Sequence, residues 1–251
     1  MSKFSDDCDK LAQLQSFEVG AFEPDGTASR DLCSFVLALA AVFNDLKDIG
    51  YGIEILSGQR PAGDSNVSRL WGNYCGVEMH LYRNLFGTLH EAFKIIQKNR
   101  IVLDDEYYSE IVRVMSRPGR SHWATFIEVA LGAEPSDAFG RCLHRARNKV
   151  AYHYDPKAIL QGYRSHFKGG ARQGSRAFIS RGNNMRSTRF YFADAALQGY
   201  MENVAHVGEV DELLRDTFEA FDHLNQAISE FVELFVQKRA GSFRVEREDN
   251  T

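Results

Sequence analysis

Leu32, Phe35, Val36, Leu39, Val42, Phe43 and Leu46 recur at spacings of three and four. That is the period of one helical face, so the pattern predicts an amphipathic helix starting near Thr27. Gly50 and Gly52 are expected to end it, and the loop SGQRPAGDS (57–65) to break the chain. A second stripe follows: Leu70, Tyr74, Val77, Leu81, Leu85, Leu89, Phe93 and Ile96. It predicts a very long helix over about 66–99, capped by Ser65 or Asn66. Two shorter helices are expected at about 104–116, stopped by Pro118-Gly119, and at about 122–131, stopped by Gly132. Another begins after Ser136 and turns Phe139, Leu143, Ala146 and Val150 inward. It must end near Asp155, because Pro156 disfavours helix at the residue before it. The last long helix is expected over about 209–239. Val210, Leu213, Leu214, Phe218, Phe221, Leu224, Ile228, Phe231, Val232 and Phe235 build its face.

Residues 156–193 break this rhythm. They hold five of the chain's 20 glycines. RAFIS (176–180) and TRFYF (188–192) alternate like short strands around a turn-rich RGNNMRS. A β-hairpin insertion is expected over about 176–192. The predicted fold class is therefore all-α: an up-down helical bundle with two long helices, some short ones and a hairpin insert. No βαβ alternation, GxGxxG string or GKS/GKT string is present, which argues against a nucleotide-binding α/β fold.

Composition adds the domain count. The 251 residues are 44% hydrophobic and 25% charged, as in a globular chain of one domain, 1–251. Cys8, Cys33, Cys75 and Cys142 lie far apart with no CxxC pair, which excludes a zinc ribbon and argues against a disulfide framework. The longest apolar run, LCSFVLALAAVF (32–43), is about half the length of a spanning helix. The first ten residues are polar and lack the apolar core of a secretory signal. A cytoplasmic, reduced protein with no membrane partner is expected. No ligand-spaced His/Cys/Asp/Glu cluster appears, so neither metal nor cofactor is expected. Trp71 and Trp123 are expected in the core, and Cys142 as an inert thiol. Asp104, Asp105 and Glu106 suit a helix N-terminus. His206 and His223 have no partner at a useful spacing.

The charge is unevenly spread. Between Pro156 and Ala193 stand Lys157, Arg164, Lys168, Arg172, Arg176, Arg181, Arg186 and Arg189, and no acidic residue. The rest of the chain carries 22 basic and 34 acidic residues, so a net charge of −4 hides +8 against −12. Tyr163, Phe167, Phe178, Phe190, Tyr191 and Phe192 interleave with the cations. Cations meet phosphates, and aromatic rings stack on unpaired bases. One expectation is an RNA-contacting flap, most naturally for single strands. The other is a hairpin whose arginines pair with the acidic bundle and whose rings pack on it.

Three pairs fit an Arg and a His with four to six residues between them: Arg83 with His90, Arg117 with His122, and Arg147 with His153. Pro118 and Gly119 make the second a loop, and the first sits inside a long helical stripe. Only RARNKVAYHYDP (145–156) joins Arg-Asn, a short apolar stretch, His and a helix stop. This string resembles the motif of the HEPN-domain family, whose members are bundles of four to five helices. Arg147, Asn148 and His153 match it, and the helix layout is compatible over roughly 27–155 and 209–239.

The resemblance implies a metal-independent endoribonuclease of toxin or phage-defence type. The 2′-hydroxyl of RNA would attack to leave a 2′,3′-cyclic phosphate. His153 would move the proton, and Arg147 would hold the phosphate and its transition-state charge. Asn148 would orient, Tyr154 would assist, and Lys149 would join the RNA-binding cations. On an ideal helix Arg147 and His153 point about 120° apart, so they converge only if the helix unwinds near Tyr152 or a second subunit completes the site. The family's dimers face two motifs across a cleft, which implies a homodimer with a composite site, and a possible antitoxin or nucleotidyltransferase partner. Members modified by such a partner carry a Tyr two residues after the His. Here Asp155 takes that place and Tyr154 comes one earlier. The alternative is a non-catalytic HEPN-like RNA-binding or protein-interaction module, with Arg147 in a surface ion pair and His153 near a helix end.

Overall fold

The structure is a computed structural model that describes residues 15–62, 68–134, 140–141, 156–168, 176–181, 188–205, 210–240 and 244–245. Its helices are α1 (Arg30–Ser57), α2 (Arg69–Lys98), α3 (Glu106–Val114), α4 (Arg117–Leu131), α5 (Pro156–Lys168), α6 (Tyr191–Ala205) and α7 (Val210–Ala240). Short 3-10 turns lie at Val19–Phe22 and Arg100–Asp104. The two-residue strands β1 (Gln15–Ser16) and β2 (Arg244–Val245) pair antiparallel. The all-α helical bundle expected from the periodicity is what forms.

α1, α2, α4 and α7 enclose the core, each touching two of the others. Leu32, Phe35, Val36, Leu39 and Leu46 of α1 meet Leu85, Phe86, Leu89, Phe93 and Ile96 of α2 there. Trp123 and Phe126 of α4 and Leu224, Ile228, Phe231 and Phe235 of α7 complete it. Trp123 stacks on Phe231 at 4.5 Å, and its indole N–H donates to the Tyr108 hydroxyl at 2.9 Å. That bond satisfies the polar edge of a buried ring. Burial holds the Tyr108 phenol up at about 12.

The helix starts are capped by side chains. Ser29 Oγ accepts from Leu32 N and donates to Asp105 Oδ2. Asp105 itself caps α3 by accepting from Tyr107 N and Tyr108 N, as the acidic cluster suggested. α2 is capped by Ser68, through Trp71 N, rather than by Ser65 or Asn66. Gly132, at φ 99°, closes α4 in the left-handed region where glycine is least strained.

Several expectations are corrected. α1 does not stop at Gly50 or Gly52 but runs 28 residues to Ser57, so the described residues hold three long helices and not two. The glycines are there for close packing: a Cβ on Gly50 would lie 3.1 Å from the Phe221 ring, and one on Gly52 would lie 3.5 Å from Leu81. Pro118 and Gly119 are not a stop after α3. They sit in the first turn of α4, where proline lacks only an N–H that the helix leaves unused. Arg117 is thus helical and not in a loop. Glu230 of α7 reaches this turn, accepting from both Ser116 N and Ser116 Oγ. In the α2 stripe, Leu70 and Val77 are exposed, at the end of α2 that lies beyond the core cluster. Trp71 is half-buried, stacked on Tyr74 with the Arg60 guanidinium over its ring. His223 does have a partner: its ring stacks on His122 at 4.2 Å.

The amino-terminal lead-in is tied to the end of α7. Arg239 Nε donates to Ala21 O, Nη2 to Glu23 O, and Nη1 to Asp25 Oδ1. Among the described residues no helix is long and apolar enough to cross a membrane.

Candidate nucleic-acid interface

The basic segment begins as a helix. Pro156 opens α5, and its fixed φ suits a first helical position. α5 carries Lys157, Arg164 and Lys168, all exposed. It packs on α6 through a glycine crossing. A Cβ on Gly162 would lie 2.2 Å from Ala196 O and 2.5 Å from Tyr200 N; one on Gly199 would lie 2.3 Å from Gly162 O. The two backbones touch where side chains would hold them apart. Glycine here marks a helix–helix contact, although the same richness in glycine suggests turns when read from the chain alone.

The turn expected at the tip of the hairpin over 176–192 lies outside the described residues; among those described, one antiparallel bridge joins its two arms. Ser180 and Arg189 exchange backbone bonds of 2.9 and 3.1 Å, and Phe192 N donates to Phe178 O at 3.3 Å. The second strand cannot extend, because α6 begins at Tyr191. Two forces favour the helix there. Asp194 in the first turn complements the positive helix end, and Ala193, Ala195 and Ala196 are strong helix formers.

α2 receives this unit on two glycines four residues apart. Tyr191 lies against Gly72, where an added Cβ would come 2.3 Å from its ring, and its hydroxyl donates to Arg69 O. The Arg189 guanidinium lies against Gly76, where a Cβ would come 1.4 Å from Nη2. Arg189 Nε pairs with Asp194 at 2.9 Å. The Gly72–Gly76 spacing was the one sequence signal that could have located this contact.

The basic segment thus divides. Arg189 is held in an ion pair, but with Asp194 of α6 five residues on rather than with the acidic bundle. Arg164, Lys168, Arg176 and Arg181 are exposed, and none makes an ion pair with a described residue. The rings divide as well. Tyr191 packs on α2, and Tyr163 packs on Phe167. Phe178, Phe190 and Phe192 remain 42%, 52% and 38% exposed. Phenyl faces beside guanidinium groups can stack unpaired bases while the cations hold phosphates. Arg147, Asn148, Lys149, His153, Tyr154, Arg172 and Arg186 lie outside the described residues, as do Cys142 and His206.

Of the free cysteines described, Cys33 is buried and Cys75 half-buried, and burial raises both thiols above the ordinary range. Neither is primed as a nucleophile. No family model, no curated protein and no solved structure matches this chain.

Proposed function

We propose that the chain acts on single-stranded RNA as a metal-independent endoribonuclease of HEPN type, in a toxin or defence role. One observation carries the RNA half of the reading. Arg176 and Arg181 are exposed on the same short stretch as exposed Phe178, and that stretch is bridged to the stretch bearing exposed Phe190. Partly exposed phenyl faces beside exposed guanidinium groups give unpaired bases a place to stack.

The chemistry rests on the Arg147-Asn148 to His153 motif. Neutral His153 takes the proton of the 2′-hydroxyl, and protonated His153 returns one to the leaving 5′-oxygen. Arg147 neutralises the charge that grows on the phosphoryl oxygens. Asn148 orients the phosphate or the imidazole, and Tyr154 assists. Two chains would bring two such motifs together in a composite site, acting in the cytoplasm under the control of an antitoxin-like partner.

A second reading keeps the RNA and drops the chemistry. It is favoured by the same exposed cations and rings, which suffice for binding without any reacting group. Incubating labelled mixed RNA with the protein in EDTA separates the two. The ribonuclease reading expects cleavage to a 2′,3′-cyclic phosphate that is lost in both His153→Ala and Arg147→Ala. RNA retained without cleavage in the wild type sinks the chemistry and leaves the binding module.

A further inference from the structure

We propose that Arg189 and Tyr191 are positioning residues for the RNA platform, keyed to α2 by a socket at Gly72 and Gly76. The proposal deepens the RNA reading and rests on it. Successive residues here divide between two sides. Arg189 and Tyr191 turn onto α2, while Phe190 and Phe192 stand 52% and 38% exposed. The anchored residues alternate with the rings offered to bases, so the anchors fix where those rings stand. Charge alone would place Arg189 among the RNA-binding cations; its contacts give it a different task.

Each anchor is held by more than one contact. The Arg189 guanidinium fills the space that a Cβ on Gly76 would take, which would lie 1.4 Å from Nη2 and 2.1 Å from Cζ. Arg189 Nε donates to Asp194 Oδ2 at 2.9 Å. The Arg189 N–H donates to Ser180 O at 3.1 Å, and its C=O accepts from Ser180 N at 2.9 Å. The Tyr191 ring fills the matching space at Gly72, and its hydroxyl donates to Arg69 O at 3.4 Å. Gly72 and Gly76 are four residues apart, so both openings lie on one face of α2. The Ser180 bridge carries the placement across to the stretch that bears Arg176, Phe178 and Arg181.

A platform built on a short bridged stretch binds well only if something rigid holds it before the ligand arrives. α2 is that support, since Leu85, Phe86, Leu89 and Phe93 further along it are buried in the core. Any side chain at 72 or 76 would push out the ring or the guanidinium. Arginine is needed as well: its planar group enters the notch while Nε reaches Asp194, whereas a lysine keeps only the charge. Direct contact with a phosphate would need little more than that charge. The two roles therefore predict opposite signs at Asp194. If Arg189 gripped phosphate, removing the Asp194 charge would tighten RNA. If Arg189 positions the rings, loosening its partner weakens RNA even though the chain becomes less acidic.

The test measures binding of a labelled, mixed-sequence single-stranded RNA to the intact protein at fixed salt, where circular dichroism shows each variant folded. Gly76→Ala changes no charge and should weaken RNA about tenfold, the scale of one lost stacking contact. Arg189→Lys should fall as far as Arg189→Gln, and Asp194→Asn should weaken RNA too. Gly52→Ala, whose added methyl meets Leu81 at an ordinary 3.5 Å, should bind as the wild type does. Amide exchange supplies a readout without RNA: the Ser180 and Arg189 N–H groups should be protected in the wild type and lose protection in Gly76→Ala. Rescue by Arg189→Lys, tighter RNA with Asp194→Asn, wild-type affinity in Gly76→Ala, or open amides in the wild type each overturn the positioning role. In all four cases RNA retained by the wild type leaves the RNA reading standing. A wild type that retains no RNA sinks the RNA reading itself, and the positioning role with it, whatever the amides show.

Discussion

Replacing Gly162 with Ala tests whether the α5–α6 pair depends on backbone contact. The added methyl would lie 2.2 Å from Ala196 O and 2.5 Å from Tyr200 N. Comfortable carbon contacts fall near 3.5 Å, so the helices must part by about 1 Å. Both obstructing atoms belong to the backbone, so no rotamer change relieves them. Overpacking of this kind costs about 1–3 kcal/mol. Gly→Ala inside a helix returns about 0.8–1 kcal/mol. The net expectation is a loss of up to about 2 kcal/mol in the α5–α6 unit. Gly52→Ala is the matched control, because its methyl meets Leu81 at an ordinary 3.5 Å. It keeps only the propensity gain and should stabilise by up to about 1 kcal/mol. Urea unfolding and native-state amide exchange read the two effects, with Gly162→Ala losing protection in α5 and α6 before the core opens. Adding Gly199→Ala should cost less than its single value, since one separation relieves both clashes. A Gly162→Ala protein that is stabilised like Gly52→Ala would refute the crossing.

The remaining predictions concern stability. The Asp25 carboxyl is held down at about 2, against an ordinary 3.8, by the Ala28 N–H first, then by Arg239 and the Thr27 N–H. Its contribution is therefore complete above about pH 4 and is lost as the pH falls through 2; Asp25→Asn should lower stability at neutral pH and flatten acid unfolding in that window. Ser116→Ala removes the cap that accepts from Gly119 N and gives up the bond to Glu230, so thermal unfolding should show a loss of about 1 kcal/mol.

The core was legible because its stripes are long and uninterrupted. Leu32 to Leu46 and Phe221 to Phe235 repeat over several turns, and both stretches are where the periodicity placed them. What escaped was every place where glycine or proline serves packing. Gly50 and Gly52 read as a helix stop, Gly162 as part of a glycine-rich insert, and Pro118 as a break. Each lies within a helix: Pro118 in a first turn, where a backbone N–H would go unused, and the glycines against neighbours distant in sequence, Phe221, Leu81 and Tyr200. Local signals cannot supply such partners. The TRFYF alternation failed for a similar reason, since five residues fit a strand or a helix start equally well and Asp194 with its flanking alanines decided between them. Of the candidate site, the basic bias of 156–193 was visible in composition. Which of its described cations are held, as Arg189 is by Asp194, and which stand exposed, as Arg164, Lys168, Arg176 and Arg181 do, was not.

The exposed phenylalanines and the exposed arginines should leave different signatures on RNA. Each phosphate contact releases counterions, so its loss lowers the salt dependence of single-strand binding by about 0.7 in log–log slope. Stacking releases none. Arg176→Gln with Arg181→Gln should therefore weaken RNA at low salt and reduce the slope by about 1.4. Phe178→Ala or Phe190→Ala should weaken RNA by about 1–3 kcal/mol per stacked base and leave the slope unchanged. Both rings are about half covered, so truncating them also costs folding stability, about 1–2 kcal/mol each. Affinity is therefore compared where each variant stays folded. If the phenylalanines are only structural, their loss lowers stability and leaves RNA affinity where it was. If they are a stacking platform, affinity falls as well, at constant salt slope. A change in slope on removing Phe190 would mean that the ring only positions nearby cations, and the stacking argument would fail even with RNA bound.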